Sequence, residues 1–441
     1  MDAVVQNIYD YSGEIGKTLN GAVKEELKKR LADSFLVAYG AREAQPVRGE
    51  RNALLPSTGR RNSSLYFTDQ HAESSIAAML NGSMTRYLDF NDTYLSKEAL
   101  HPSDNFPPLI ALAESLEKKG KDLLEAAALS YSVICGLSDA VSIRDRGWDH
   151  VTYISISASA GLAYLGNLEP KKFENCISLG INNNISLRQT RAGELSMWKG
   201  LTASNASRNS VFGYYLAENG VSGPSDVFTG EMGFFKQVSG KFTLHLDMNR
   251  ILRTMIKNYP VEYHAMSAVE SCESLHSSLK GEIKKIEVET FSVADKIIIK
   301  DPEKKRPKTK ETADHSMPYL IAYTLLHGRP GPESYSPVLL NDNRILTLID
   351  KMKFTVSERF DQLYPEHLPF RIEIKTSSEE VENEIIDPKG HHRNPFTWDD
   401  IVQKGRSMMS EASAREIVTA VKTIENRDIS EIMEILADVH P

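Results

Sequence analysis

Over roughly the first 255 residues, hydrophobic positions recur at helical spacing. Between 74 and 88, Ile76, Met79, Leu80, Met84, Tyr87 and Leu88 follow one another at three- and four-residue steps and mark one face of a helix. Leu109, Leu112, Ala113 and Leu116 trace a second helix, opening after Pro107-Pro108 and closing at Gly120. Asp122 followed by Glu125 resembles a capping box at the head of an apolar helix that runs to about Val141. Further helical patterns cover about 151–166, 170–186 and 201–218.

The period then changes. Ile286, Val288 and Thr290 alternate with Lys285, Glu287 and Glu289, and Phe370, Ile372 and Ile374 alternate with Arg371, Glu373 and Lys375, so both stretches read as half-buried strands. Ile297-Ile298-Ile299 is a third strand candidate, and a helix from Pro318 to Leu326 lies between the two alternating stretches, ending at His327-Gly328. After Pro395 the pattern is helical again, over about 397–408, 411–424 and 428–438. The expected fold is therefore mostly α: a large helical domain built from both chain ends (1–256 and 396–441) and a smaller α+β domain (257–395). No internal repeat interrupts this plan.

Composition narrows the classes without changing that plan. The chain has 441 residues, 41% hydrophobic and 25% charged, with 26 Gly and 19 Pro, which excludes disordered and collagenous proteins. No apolar run approaches the roughly 18 residues of a membrane helix, and the start Met1-Asp2-Ala3-Val4-Val5 lacks a signal peptide's basic and apolar regions. A soluble, cytoplasmic chain without membrane or nucleic-acid partners is the expectation. The net charge of −8 is poor material for binding phosphate backbones, and cations for an anionic substrate must then be gathered locally. Cys135, Cys176 and Cys272 form no C-x-x-C pair, so they read as buried reduced thiols rather than metal ligands or a disulfide framework.

Several short stretches concentrate chemistry. In Asp89-Phe90-Asn91-Asp92-Thr93, Asp89 and Thr93 would share one face if the helix continued, and His101-Pro102-Ser103-Asp104 follows closely. The competing reading is helix-end chemistry, with Asp104 capping the next helix. Gly147-Trp148-Asp149-His150 offers a histidine suited to proton transfer near neutral pH, with Asp149 available as a cap. Lys199 precedes a helix rich in small residues, and Lys257 falls where helices give way to strands; each is either an anion clamp or a solvated surface charge. Glu311, Asp314 and His315 stand at the mouth of the helix that carries Tyr319. The run Lys304-Lys305-Arg306-Pro307-Lys308-Thr309-Lys310 reads as a solvated loop, and so does His391-His392, which lacks partners at metal-ligand spacing. No Gly-rich phosphate loop, GxSxG elbow or HExxH occurs.

Six stretches together resemble the MmgE/PrpD family: YLDFNDTYLSKEALHPSDN (87–105), GWDHV (147–151), MWKGLTASNASRN (197–209), KNYPVEYHAMSAVE (257–270), ETADHSMPYLIAYTLLHG (311–328) and PKGHHRNPFTWDDIVQKG (388–405). The resemblance implies a helical domain from both chain ends with an α+β lid. It also implies a homodimer acting on a small tricarboxylate, and no cofactor or metal. It carries Asp89, Thr93, His101, Lys199, Lys257 and Tyr319 into a site between the domains, with His150 aligned less securely. The best-known activities of the family are dehydration of 2-methylcitrate, in propionate catabolism through the methylcitrate cycle, and decarboxylation of cis-aconitate. Where the decarboxylases have a histidine two places after Pro260, this chain has Glu262, with His264 two residues further on, which favours the dehydratase branch. Whether Glu262 or His264 faces the substrate stays open.

The expected reaction is dehydration of 2-methylcitrate, and of citrate as a second substrate, to the corresponding alkene. Such a reaction needs proton removal beside a carboxylate, protonation of a leaving hydroxide and fixed positive charge for the transition state. His101 is read as one proton-transfer group, with Asp89 either orienting it or acting as its partner. Lys199 and Lys257 are read as the cations, and Thr93 and Tyr319 as hydrogen-bonding groups. Which group is base and which is acid is left undetermined. Decarboxylation, isomerisation or epimerisation of a related di- or tricarboxylate is the alternative on the same fold. A non-catalytic scaffold or a nucleic-acid binder using 304–310 is the alternative from another class.

Overall fold

The computed structural model describes residues 1–45, 47, 48, 51, 63–193 and 195–439. The chain forms two compact units, Met1–Arg191 with Gly200–Ile256 and Thr397–Pro441, and Ala192–Lys199 with Lys257–Phe396. Nothing in the hydrophobic pattern signals that the segment ending at Lys199 belongs with the second unit.

The first unit is helical. Its main helices are Ala3–Thr18, Gly21–Ala41, Ser74–Tyr87, Phe106–Ser115, Gly120–Ala140, Thr152–Leu165, Pro170–Asn183 and Thr202–Glu218, joined by the C-terminal Trp398–Gly405, Glu411–Lys422 and Ile429–Ala437. Trp398–Gly405 and Glu411–Lys422 pack on Gly21–Ala41, which is why both chain ends share one core. Close packing of the central helices depends on small residues: a Cβ at Gly161 would lie 2.2 Å from Ser130 Oγ, and one at Gly180 would lie 2.2 Å from Ser159 Oγ. Gly120–Ala140 is long and apolar enough to cross a membrane by length and composition, contrary to the reading that no such run exists. With 83% of its apolar window buried inside the protein, it is a core helix.

Several boundaries differ from the expected ones for physical reasons. Pro107 and Pro108 sit inside the first turn of Phe106–Ser115 rather than before it, where their missing amide donors cost nothing. That helix ends at Ser115, and Gly120 starts the next one instead of closing this one. Asp122 is the third residue of the new helix, and its Oδ2 accepts from Lys119 N at 3.0 Å, so it caps the first turn from the inside; the reciprocal bond of a capping box is missing because the Lys119 ammonium cannot accept one.

The second unit carries a four-stranded sheet in the order Met352–Val356, Ile283–Thr290, Phe370–Thr376, Glu380–Ile385, parallel in the first pairing and antiparallel in the others. Ile286 pairs with Ile374 and Val288 with Ile372, all four buried, while the residues between them face outward. Helices Met266–His276 and Met317–His327 pack against each other, and the first of them covers Phe370–Thr376. Ile297–Ile299 is not a strand. Ser292–Ile298 is helical and buries Ala294 and Ile298, four apart, a spacing that three consecutive isoleucines conceal.

Candidate active site

In the helical unit, Ser74–Tyr87 stops at Leu88, and Asp89 takes a left-handed backbone, φ +52°. Among residues with a Cβ, aspartate is one of the few that accept this conformation readily. The helix therefore does not continue through Asp89 and Thr93, and the shared helical face expected for them does not exist. A turn replaces it. Asn91 Nδ2 donates to Ser103 Oγ at 2.9 Å and Asp104 Oδ1 at 3.0 Å. Asp92 accepts from Ser103 N at 2.9 Å and from Tyr131 Oη at 2.8 Å. Thr93 exchanges backbone bonds of 2.8 Å with Met255, and its hydroxyl donates to the Leu100 carbonyl at 3.2 Å.

That turn fixes a histidine. His101 Nδ1 lies 2.7 Å from the Asp92 carbonyl, which can only accept, so the ring proton on Nδ1 is committed there. Nε2 is then the atom that can exchange a proton, and it stands 3.7 Å from Asp89 Oδ1. The same Asp89 oxygen accepts from Arg86 Nη1 at 2.7 Å. Asp104 does not cap the following helix. It is buried in this cluster, and burial, partly offset by Arg86, pushes its carboxyl up to about 7.

A second histidine, His150, lies 6.0 Å away, ring centre to ring centre. An antiparallel bridge between Trp148 and Leu187 brings the turn Arg188–Arg191 alongside Asp149. Arg191 Nε reaches Asp149 Oδ2 at 2.9 Å, and His150 Nδ1 reaches Asp149 Oδ1 at 3.0 Å. Asp149 thus serves this pair, and its Oδ1 also accepts from Val151 N at 3.4 Å at the head of the next helix, a longer contact than either of the other two. Burial alone would keep the Asp149 carboxyl protonated, but Arg191 and His150 outweigh it and hold the group well below the usual carboxylate range. An ionised Asp149 requires His150 to carry its proton on Nδ1, which leaves a lone pair on Nε2. That Nε2 is buried and has no hydrogen-bond partner among the described residues. Burial, with Arg191 and Arg86 adding to it, pushes His150 below the ordinary histidine value despite the opposing pull of Asp149.

The α+β unit holds a polar cluster of its own. Lys199 and Lys257 are 2% and 1% exposed, so neither is a surface charge. Lys257 Nζ donates to the Val261 carbonyl at 3.1 Å. Lys199 Nζ is 3.9 Å from Asp314 Oδ1, while Lys310 Nζ donates to Asp314 Oδ2 at 2.8 Å and His315 Nδ1 sits 2.6 Å from Oδ1. Burial opposes a charge on Asp314, but Lys199, Lys310 and His315 overcome it and keep the carboxylate ionised. The Asp314 carbonyl in turn accepts from Glu262 N at 2.8 Å, which ties 257–264 to 310–315.

Glu262 accepts from His264 Nδ1 at 2.7 Å and from His264 N at 2.8 Å, and His264 Nε2 lies 3.1 Å from Tyr364 Oη. Burial works against the Glu262 charge, yet His264, His315 and Lys257 draw its carboxyl down to about 2. Glu262 therefore orients His264 rather than competing with it. Lys304 is buried as well, its pKa lowered by burial against the pull of Asp314, Asp301 and Glu262. Lys199, Lys257, Lys304 and Lys310 accompany the ionised Glu262 and Asp314 here, an excess of positive charge suited to a polycarboxylate.

Some expectations fail on this geometry. The basic run is not simply a solvated loop, because Lys304 and Lys310 turn inward while Lys305, Arg306 and Lys308 stay exposed. His391 is fully buried, its ring 4.3 Å from that of His392, so this pair is not a surface loop either. Tyr319 is a core residue. It is wholly buried, stacks near Tyr323 and donates its hydroxyl to the Ser334 carbonyl at 2.7 Å, which leaves that proton unavailable to a substrate. Tyr319→Phe should lower stability by the worth of one buried hydrogen bond, about 1–2 kcal/mol. Its kcat/KM should stay within a factor of two, and a tenfold loss measured on folded protein would return Tyr319 to the site.

Asp149 is spent on Arg191 and His150, and Asp314 on Lys310 and His315. Cys135 and Cys176 belong to the helical unit and Cys272 to the other, and burial pushes all three thiols up.

Comparison with known proteins bears on both units. The MmgE/PrpD N-terminal domain matches residues 16–247, and the MmgE/PrpD C-terminal domain matches residues 259–427. A 2-methylcitrate dehydratase of Yarrowia lipolytica, named as mitochondrial, is 27% identical over an alignment that takes in 98% of this chain and 90% of that protein. The 2-methylcitrate dehydratase of Escherichia coli K12 is 28% identical over 63% of this chain, which spans 61% of that enzyme's length. A cis-aconitate decarboxylase-like protein of Aspergillus oryzae is 26% identical over 82% of each chain. With both of its domains matched across most of the sequence, the chain belongs to the MmgE/PrpD family.

Proposed function

We propose that the protein is a carbon–oxygen lyase that dehydrates 2-methylcitrate to 2-methylaconitate without a cofactor, working as a cytoplasmic homodimer. The observation that carries the reading is the Arg191–Asp149–His150 relay, which ends in a buried imidazole nitrogen with no hydrogen-bond partner among the described residues. Such an atom is a general base held ready in its neutral form. In this reading His150 Nε2 removes the proton beside a substrate carboxylate. His101 delivers a proton from Nε2 to the departing hydroxyl, with Asp89 stabilising the ring while it is charged. The hydroxide leaves as water with the proton from His101, the proton from carbon stays on His150, and the electron pair of the broken carbon–hydrogen bond becomes the alkene; His150 then gives up its proton and His101 regains one by exchange with solvent.

The reaction also needs fixed positive charge, and that role is assigned to buried lysines. Removing a proton beside a carboxylate builds further negative charge on an already anionic substrate, and buried ammonium groups stabilise that charge most effectively where water is excluded. Lys199 and Lys257 are assigned to substrate carboxylates, with Lys304 and Lys310 maintaining the positive field. The low-lying His150 implies an acid limb of kcat/KM below the ordinary histidine value.

Similarity over most of the chain to a protein named cis-aconitate decarboxylase-like makes decarboxylation the second reading. A panel of 2-methylcitrate, citrate and cis-aconitate separates the two, with product masses and headspace carbon dioxide as readouts. Loss of water from 2-methylcitrate without carbon dioxide supports the proposal; carbon dioxide from cis-aconitate with no dehydration replaces it. Activity should also survive chelator and air, since the proposed chemistry runs on protein side chains alone. Loss on anaerobic chelation, restored by iron, would contradict that.

A further inference from the structure

The Asp89–Thr93 turn is held from a direction that the reaction does not explain. Asp33, on Gly21–Ala41, and Lys404, on Trp398–Gly405, form an ion pair at 2.5 Å with neither side chain exposed. Lys404 Nζ also donates to the Phe90 carbonyl at 2.7 Å and lies 4.0 Å from the centre of the Phe90 ring. Removing two charges from water costs more than a single pair ordinarily returns, and apolar replacements of such pairs are often neutral or stabilising. Stability alone therefore gives little reason to keep this pair in the middle of a helical core.

Its place in the chain offers a reason. Phe90 directly follows Asp89, and the orientation of the peptide between them depends on the left-handed backbone at Asp89. The hydrogen bonds from Asn91, Asp92 and Thr93 fix the turn downstream of that peptide. Lys404 grips the peptide that follows, and it does so as a charge-assisted donor, with Asp33 preventing the ammonium from turning elsewhere. A small rotation there would swing the Asp89 carboxylate away from His101 Nε2, now 3.7 Å distant.

We propose that Lys404, anchored by Asp33, is a positioning residue that fixes the Phe90 carbonyl and thereby aims the Asp89 carboxylate at His101. This rests on the reading of His101 as a proton-transfer group. It assigns a reaction-linked purpose to two residues, one near each chain end, that touch no substrate.

The test is the double variant Asp33→Leu with Lys404→Met, which removes both charges and leaves none orphaned. Three readouts are taken: melting temperature, the ring nitrogen signals of His101 in histidine-labelled protein, and kcat and KM on 2-methylcitrate. The His101 signals are assigned by their loss in a His101→Gln control. The expected result is a melting temperature within a few degrees of wild type, displaced His101 signals, kcat lowered about 10- to 100-fold and KM changed less than threefold. If the double variant does not fold, the near-isosteric Asp33→Asn is read in the same way and should move His101 and kcat in the same direction. A folded variant with unmoved His101 signals and wild-type kcat overturns the proposal. Should wild-type protein show no turnover on 2-methylcitrate, the ring signals still decide the positioning role, and it is the functional reading that falls.

Discussion

Asp149→Asn is expected to lower kcat by roughly 10²–10⁴-fold, because the amide no longer compels His150 to keep its proton on Nδ1. The upper figure is what the equivalent change costs in a serine-protease triad. The variant should also be less stable, since Arg191 loses its carboxylate in a largely buried position. The two effects separate by pH. A carboxyl held below its unfolded value contributes stability that is complete above about pH 4 and is lost as pH falls toward the folded value. Wild type should therefore lose stability steeply below about pH 4, and Asp149→Asn should lose less of it. Rates are compared at a temperature where both proteins are folded. Folded Asp149→Asn with wild-type kcat would remove the relay from the mechanism.

The second large effect is expected at Lys257. Replacing it with Met keeps most of the aliphatic stem but removes an ammonium that is 1% exposed and donates to the Val261 carbonyl. Loss of that hydrogen bond should cost about 1–2 kcal/mol of stability. A charge-assisted contact to a buried substrate carboxylate, tightening in the transition state, is worth about 2–4 kcal/mol, or roughly 30- to 1000-fold in kcat/KM. A lysine whose task is only to hold Val261 would show the stability loss without the rate loss. Lys257→Met with near-wild-type kcat/KM would take this residue out of the site.

Much of the architecture is legible in the sequence, because its long helices and the alternating strands near 286 and 372 carry strong periods. The short elements are not: three consecutive isoleucines have no period, and nothing along the chain marks Ala192–Lys199 as belonging with the α+β unit. Within the two polar clusters, His101, His150, Asp89, Lys199 and Lys257 are legible as candidates because short stretches dense in ionisable groups stand out. Arg86 and Arg191 do not stand out, because helix ends and turns are normally rich in charged residues. Asp104 and Asp149 occupy sequence positions typical of caps, and each is buried against an arginine. Lys304 and Lys310 are hidden in a basic run, where sequence alone does not tell which side chains turn inward. Tyr319 misleads in the other direction: its place near Asp314 suggests chemistry, and its hydroxyl serves the core.

The measurement that bears most directly on the central claim is turnover of 2-methylcitrate by pure, chelator-treated protein, followed as alkene absorbance in the ultraviolet. The account predicts a steady rise that is sustained in air and abolished or severely slowed in Asp149→Asn. No absorbance change with either 2-methylcitrate or citrate would contradict it.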